Sequence, residues 1–302
     1  MGFIEEFRDF LSEHGIAEGC FTPVPVYAAD AEEAQRQQAE LQGLVGKTSF
    51  VVEDRWRSRP EQTRLRILAH SGVFTRVYAR NCELRRIDKL TAAAFLTESH
   101  DYADALCRYR YGLFLKHLTG EKSCGGAPSV TLECGTLVAV AEFSNLRNLD
   151  LDGTRSRSCQ WIRYASLPGV RVAGGMGKLL SGLLNDAAPD DVMTYADLEW
   201  SDGGAYRALG FEFEGLRAPV LFRIDPLSWR RSAVGSRKTL PWDGSSKVIP
   251  LGDSCKGIPS GGSALSSGGN SLPSGGEALT PASEQPSLWY RNFGSARYRL
   301  RV

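Results

Sequence analysis

The stretch Val172-Ala173-Gly174-Gly175-Met176-Gly177-Lys178-Leu179-Leu180 sets a glycine turn between an apolar, strand-like run and a run with helical periodicity. Upstream, Cys159-Gln160-Trp161-Ile162-Arg163-Tyr164-Ala165-Ser166-Leu167 is rich in aromatic and apolar residues and stops at Pro168-Gly169, the punctuation of a strand followed by a turn. Downstream, Leu179, Leu180, Leu183 and Leu184 recur at the spacing of a helix that buries one face and ends before Pro189. The glycines therefore fall at a helix N-terminus. There the first-turn N–H groups have no backbone partner and the macrodipole favours negative charge, so main chain alone can hold a diphosphate. Glycine suits the position because a Cβ would block that approach and because such turns often need a positive φ.

The turn departs from the dinucleotide fingerprint, which would want a small residue at Leu180, and from the P-loop, because Lys178 is followed by Leu179. Its context is more specific. Asp190 to Trp200 reads as a second strand, Ser201-Asp202-Gly203-Gly204 offers N-cap candidates for a short helix carrying Tyr206-Arg207-Ala208-Leu209-Gly210-Phe211, and Phe211–Glu214 and Val220–Ile224 read as two more strands.

This order of elements, with G-x-G-x-L-L at Gly175-Met176-Gly177-Lys178-Leu179-Leu180 and Y-x-x-L-G-F at Tyr206 to Phe211, resembles the acetyl-CoA-binding half of the GNAT acyltransferase superfamily. The motif-bearing similarity covers about residues 159 to 225, and a looser match extends back to about residue 80. The resemblance implies an α/β fold with a mixed, mostly antiparallel central sheet flanked by helices. It implies acetyl-CoA or another acyl-CoA as co-substrate, its pyrophosphate wrapped by the glycine loop, and Tyr206 beside the thioester sulfur. The implied cofactor contacts are Ala165 and Leu167 at the strand end, Arg171 and Val172 before the loop, and Gly174, Gly175, Met176, Gly177 and Lys178 within it. In the family the position of Val172 is usually Gln or Arg; here the arginine is its neighbour, Arg171. Tyr195-Ala196-Asp197 followed by Trp200-Ser201 also resembles, more distantly, the Mom-type DNA-modifying proteins, in which a GNAT-like fold acts on adenine in DNA.

Acyl transfer to an amine needs a neutral amine, a polarised carbonyl and a protonated leaving thiolate. Tyr206 is the candidate proton donor, with core packing under Phe211 as its ordinary alternative. For the base, Asp197 and Glu199 share a strand face by period two and Glu142 ends another strand. These acids could equally bind Arg163 or cap the next helix. Cys159 and Cys107 stand in no recognisable Cys-His arrangement with His100 or His117, so buried structural thiols are expected.

The chain has 302 residues, 42% of them hydrophobic, enough for a packed core. Lys+Arg 36 against Asp+Glu 35 leaves a net charge of +1, so no global field recruits nucleic acid or membrane. Seven cysteines without a C-x-x-C pair, and four histidines, argue against a zinc site; Cys124 and Cys134 flank a Gly/Pro loop. With no long apolar run and no basic-then-apolar N-terminus, a cytoplasmic protein is expected, without a membrane partner.

Residues 1–79 read as a partly helical extension: a helix over residues 2–14 carrying Phe3, Ile4, Phe7, Phe10 and Leu11, a polar helix from Ala29 to Leu44, and a basic segment holding Arg55, Arg57, Arg59, Arg64 and Arg66 around Trp56. That segment could meet nucleic-acid phosphates, but a solvated helix face with i, i+4 ion pairs is preferred. Residues 80–230 form the GNAT-like domain, with strands at Glu83–Ile87, Arg108–Leu115 and Thr136–Phe143 and one or two helices over Leu90–Leu106. Residues 231–287 read as a Gly/Ser/Pro-rich flexible linker, and 288–302 as an aromatic segment that docks in cis as an added strand or on a partner, the first being favoured. The expected function is transfer of an acyl, foremost acetyl, group from acyl-CoA to an amine the sequence does not name. The alternatives are a nucleic-acid base-modifying protein of the Mom type and a non-catalytic GNAT-fold binding module.

Overall fold

The computed structural model describes residues 2–102, 104–118, 122–125, 130–151, 153–234 and 288–302. The first part of the chain forms α1 (Phe3–Glu13), β1 (Phe21–Val24), α2 (Ala31–Leu41), β2 (Ser49–Val52), α3 (Glu53–Ser58), α4 (Pro60–His70), β3 (Phe74–Tyr78), β4 (Cys82–Arg86), α5 (Lys89–Ser99), β5 (Tyr109–Leu115) and β6 (Lys122–Cys124). There follow β7 (Leu137–Phe143), β8 (Arg147–Leu151), β9 (Thr154–Ser166), β10 (Val170–Ala173), α6 (Gly175–Ala187), β11 (Asp191–Asp197), α7 (Gly204–Arg207), β12 (Glu212–Arg217), β13 (Leu221–Ile224), β14 (Arg231–Ala233), β15 (Leu288–Arg291) and β16 (Ser295–Arg301).

The centre is an eight-stranded sheet in the order β12-β16-β11-β9-β7-β5-β4, with β8 paired to β9. Every junction in it is antiparallel except β9 with β11. Leu137-Val138-Ala139-Val140-Ala141-Glu142-Phe143 is buried almost throughout, because helices cover both faces of the sheet at β7. On one face the apolar stripe of α6, Leu179 and Leu183, packs with Tyr111, Leu113 and Ala141. On the other, Ala92 and Leu96 of α5 pack with Val140 and Ala165. Helix α5 starts where Asp88 accepts the Thr91 N–H at 2.8 Å and stops at Ser99, so of the one or two helices expected over Leu90–Leu106 one forms, and residues 100–102 and 104–106 are not helical. There His100 turns back, its Nδ1 accepting the Tyr102 N–H at 3.0 Å.

The N-terminal extension is less helical and less separate than its composition suggests. It holds three short strands: β1 and β2 pair in parallel, and β3 is the middle strand of a small sheet β10-β3-β6. Val24, Phe50, Val52 and Val77 join the main core, while Phe3, Phe7 and Phe10 surround Trp56 in a second core that also contains Trp200. The basic segment is not a solvated face. Trp56 and Asp54 are buried, Arg55 is 9% exposed, Arg57 pairs with Glu6 at 2.8 Å, Arg59 donates to the His100 carbonyl at 2.9 Å, and Arg66 pairs with Asp101 at 2.6 Å. Long-range partners claim these guanidiniums, leaving Arg64 stacked on Trp56 at 4.8 Å.

At the C-terminal side, Arg231–Ala233 is a strand on β13, and residues 235–287, most of the expected linker, lie outside the described residues. Residues 288–302 fold back onto the chain. Strand β15 pairs with β13, and β16 inserts between β11 and β12, matching β11 over the whole register from Asp191↔Arg301 to Asp197↔Ser295. Its alternation places Ala296 and Tyr298 in the core, and Phe293 stacks on Phe50 at 3.9 Å.

Gly294 turns the chain from β15 into β16 at φ +80, and a Cβ there would meet the Arg217 carbonyl. Gly294→Ala is expected to destabilise by about 2 kcal/mol or more and to lower Tm by about 5 °C. Gly135→Ala, at φ +93 but with open space around it, carries only the backbone strain and should cost less. Equal losses in thermal unfolding of the two variants would mean that the β15–β16 turn is not crowded.

Candidate functional site

Strands β9 and β11 are hydrogen-bonded over three residue pairs only, Ser158↔Asp191 to Gln160↔Met193. Beyond them β9 stays with β7 as far as Ser166↔Ala139, while β11 stays with β16 as far as Asp197↔Ser295. Each strand thus keeps its outer partner, and the two part from one another. The gap opens a cleft of about 2290 Å³ lined by Trp161–Leu167 on one side and Tyr195–Leu198 on the other. Each strand edge that faces the gap lacks a strand partner there, although the Trp161, Ile162 and Arg163 carbonyls accept from the Thr194, Arg163 and Trp161 side chains.

The cleft reaches both faces of the sheet. On the α6 face lie Met176 and Tyr206. Helix α7 starts at Gly203, φ 85, and carries the Tyr206 ring edge-on to Trp161 at 5.9 Å and against Phe211 at 5.7 Å and Tyr298 at 6.1 Å. Near the Tyr206 hydroxyl the Thr194 side chain donates to the Trp161 carbonyl at 3.2 Å. Burial raises the Tyr206 pKa and keeps the phenol protonated, a state suited to donating a proton. Tyr206 therefore packs as a core aromatic and also lines the cleft.

Asp197 lies one register step past Ala196 on β11, so it faces the opposite side from Thr194 and Ala196. It is partly buried among Arg66, Tyr102 and Arg231. Burial first, and the neighbouring Glu199 charge second, push its pKa up to about 7, against the Glu199 N–H that donates to Oδ1 at 3.0 Å. A cleft-facing carboxylate that titrates near neutrality is suited to taking a proton from an amine.

The other two acids are occupied. Glu199 is not on the strand face with Asp197, because β11 ends at Asp197 and the chain turns. Its Oε1 accepts from Arg231 Nη1 at 3.1 Å and from the Tyr290 hydroxyl at 2.8 Å. Glu142 is fully buried on β7, opposite Arg163, and accepts from the Ala105 N–H at 3.1 Å and Arg110 Nε at 3.2 Å. It does not line the cleft. Burial, then a hydrogen bond with Asp104, raise its pKa to about 7.

Among the expected cofactor contacts, Ala165, Leu167 and Met176 line the cleft. Gly174 is exposed in the left-handed conformation, φ 76, as the cap of α6. The first intrahelical bond is Lys178 N–H to the Gly174 carbonyl at 3.1 Å, which leaves the N–H groups of Gly175, Met176 and Gly177 without an acceptor in the helix. Val172 is buried, and its side chain is the reason for Gly175, where a Cβ would lie 3.0 Å from it. Lys178 does not point at a ligand: Nζ donates to the Ala79 carbonyl at 2.9 Å and the Cys82 carbonyl at 2.5 Å, binding the turn after β3 to α6. Arg171 is exposed on β10, its guanidinium 5.2 Å from the Phe74 ring.

Sequence reasoning missed the wall opposite β9, where Arg66, His70, His100, Asp101 and Tyr102 from the N-terminal half line the cleft beside Asp197. Burial and then the Arg163 charge hold His100 at about 3, so it is neutral near pH 7, whereas His70 is exposed. Arg163, 4% exposed, is the one signal that was visible, as a lone cation in an aromatic strand.

The raised carboxylates have a measurable consequence. Glu142 keeps a proton in the folded chain that the unfolded chain has released, so it lowers stability as pH rises from about 4.5 to 7. His100 works in the opposite direction, since its unfolded imidazole gains a proton below about 6.5 while the folded one stays neutral. Glu142→Gln mimics the protonated acid and leaves His100 in place. Thermal unfolding of the variant is expected to match wild type at about pH 5 and to occur at higher temperature at about pH 8. A displacement independent of pH would remove Glu142 from the list of raised acids.

No protein-family model matches the sequence, and no curated protein matches it.

Proposed function

We propose that the chain is an acyl-CoA-dependent N-acyltransferase of the GNAT type. The observation that carries this reading is the parting of β9 from β11, which opens a passage between Tyr206 on one face of the sheet and Asp197 on the other. A thioester lying in that passage has its carbonyl among unpaired strand N–H groups, its sulfur toward Tyr206 and its acyl carbon open to an amine from the Asp197 side. The amine nitrogen forms the new C–N bond, Asp197 takes the amine proton, the C–S bond breaks, and Tyr206 gives its phenolic proton to the departing thiolate. The atoms balance without a covalent enzyme intermediate. The three free N–H groups at the start of α6 and the open left-handed Gly174 fit a diphosphate held by main chain. A base-modifying role loses its main support, because Arg55, Arg57, Arg59 and Arg66 are engaged within the fold. No helix among the described residues is long and apolar enough to cross a membrane.

Calorimetry of the full chain with acetyl-CoA is expected to give binding, and Gly177→Asp to abolish it by setting a Cβ and a negative charge at the helix start. No heat with any acyl-CoA at millimolar concentration would overturn the reading. In thiol-release assays with a panel of amines, Tyr206→Phe is expected to lower turnover about 100-fold while sparing acetyl-CoA affinity. Asp197→Asn is expected to lower turnover similarly and to erase the rise in rate as pH passes about 7, where the wild-type carboxylate loses its proton. A wild-type rate indifferent to pH between 6 and 8 would exclude Asp197 as the base.

A further inference from the structure

The outer face of the small sheet β10-β3-β6 carries a row of like charges. In its parallel register Arg171 of β10 stands directly opposite Arg76 of β3. Phe74 lies one period-two step from Arg76, and both guanidiniums converge on its ring, at 5.2 Å for Arg171 and 5.8 Å for Arg76. Further along the same strand Arg80 is exposed in the turn after β3, its guanidinium 4.7 Å from the Tyr78 ring. Among the described residues none of Arg76, Arg80 and Arg171 has an acidic side chain within 4.0 Å, whereas Arg110, Arg231 and Arg299 are each paired with carboxylates. Like charges directly opposite on neighbouring strands destabilise a sheet, and beyond stacking on the Phe74 ring the fold gives no reason for the row.

Its location supplies one. Ala173 pairs with Tyr78, and Gly174, the cap of α6, lies 3.7 Å by its Cβ position from the Ala79 Cβ. The row therefore continues into the turn whose N–H groups are free. The field of Arg171 also reaches His70 and Tyr164, two groups on the wall of the cleft. We infer that Arg76 and Arg171, with Arg80 at their edge, form a subsite for a phosphate monoester, separate from the diphosphate position at the start of α6. Resting on the acyl-CoA reading, this subsite takes the 3′-phosphate of coenzyme A, so that the enzyme distinguishes coenzyme A from its dephospho form. A dianionic monoester offers three acceptor oxygens, which suits two converging guanidiniums better than a singly charged diester does.

The test is calorimetry of the full chain with coenzyme A and with 3′-dephospho-coenzyme A, for wild type, Arg76→Gln and the double variant Arg76→Gln/Arg171→Gln, alongside thermal unfolding without ligand. Wild type is expected to prefer coenzyme A by about tenfold or more, and the double variant to show less than about a threefold preference through weaker binding of coenzyme A alone. Unliganded Tm should stay level or rise in both variants, as relief of like-charge repulsion requires. If wild type binds both ligands equally, the subsite is refuted while the acyl-CoA reading stands. If it binds neither, both fall. A preference that survives the double substitution, or a fall in Tm that accounts for the lost affinity, also refutes the subsite. Displacement of coenzyme A by a single-stranded oligonucleotide, dependent on Arg76 and Arg171, would assign the row to phosphodiester backbone instead.

Discussion

The structure depends most on one buried guanidinium. Arg231, with only 4% of its side chain exposed, donates to Asp54 through Nε and Nη2 at 2.6 Å each and to Glu199 through Nη1 at 3.1 Å. Tyr290 donates to the same Glu199 oxygen, and the Tyr290 and Phe222 rings lie 4.8 and 5.3 Å from the guanidinium. Four segments far apart in the chain thus meet at one cation. Removing it would leave two carboxylates buried together, a loss on the order of 3–5 kcal/mol for a broken buried pair. Such a network contributes less to net stability than to uniqueness, because no other docking of the N-terminal helices or of the C-terminal strands would satisfy all four groups.

The cleft inherits its chemistry from this network. Glu199 is held rigidly two residues past Asp197, and its negative charge is a principal reason, after burial, that Asp197 keeps a proton to about pH 7. On the opposite wall Arg66 is fixed by Asp101 and stacked on Trp200 at 4.1 Å, and Tyr102 lies between the Arg55 and Arg163 guanidiniums at 5.2 and 5.4 Å. Desolvation, with the Arg163 and Arg66 charges, keeps His100 neutral. On the proposed reading, acid–base chemistry is carried by a carboxyl and a phenol on opposite faces of the sheet, joined by the passage that lies where β9 and β11 part.

Periodicity made the region from Cys159 to Ile224 readable. The apolar alternation of β9, the leucine stripe of α6, the glycine at its cap and the short helix bearing Tyr206 all come from local patterns that survive in the folded chain. The N-terminal extension was misjudged for an equally physical reason. Strands of four or five residues such as Phe21–Val24 and Phe74–Tyr78 give too few repeats for a period, and their partners are distant in sequence. The arginines around Trp56 look like a solvated face because charge alone does not reveal a partner: Arg231 lies 177 positions from Asp54, and Asp101 lies 35 from Arg66.

What the sequence by itself determined is the elements from Cys159 to Ile224 with their apolar faces, and an aromatic C-terminal segment, residues 288–302, that has to dock in cis or on a partner. What only the tertiary structure decided is that the segment's second strand inserts between β11 and β12, and that β9 and β11 part after three residue pairs. It also decided which carboxylates are consumed in ion pairs, leaving Asp197 rather than Glu142 or Glu199 in the cleft. Secondary structure follows from interactions within a few residues of each other, whereas strand order, burial of charge and the pKa of an acid follow from neighbours that the folded chain alone brings together.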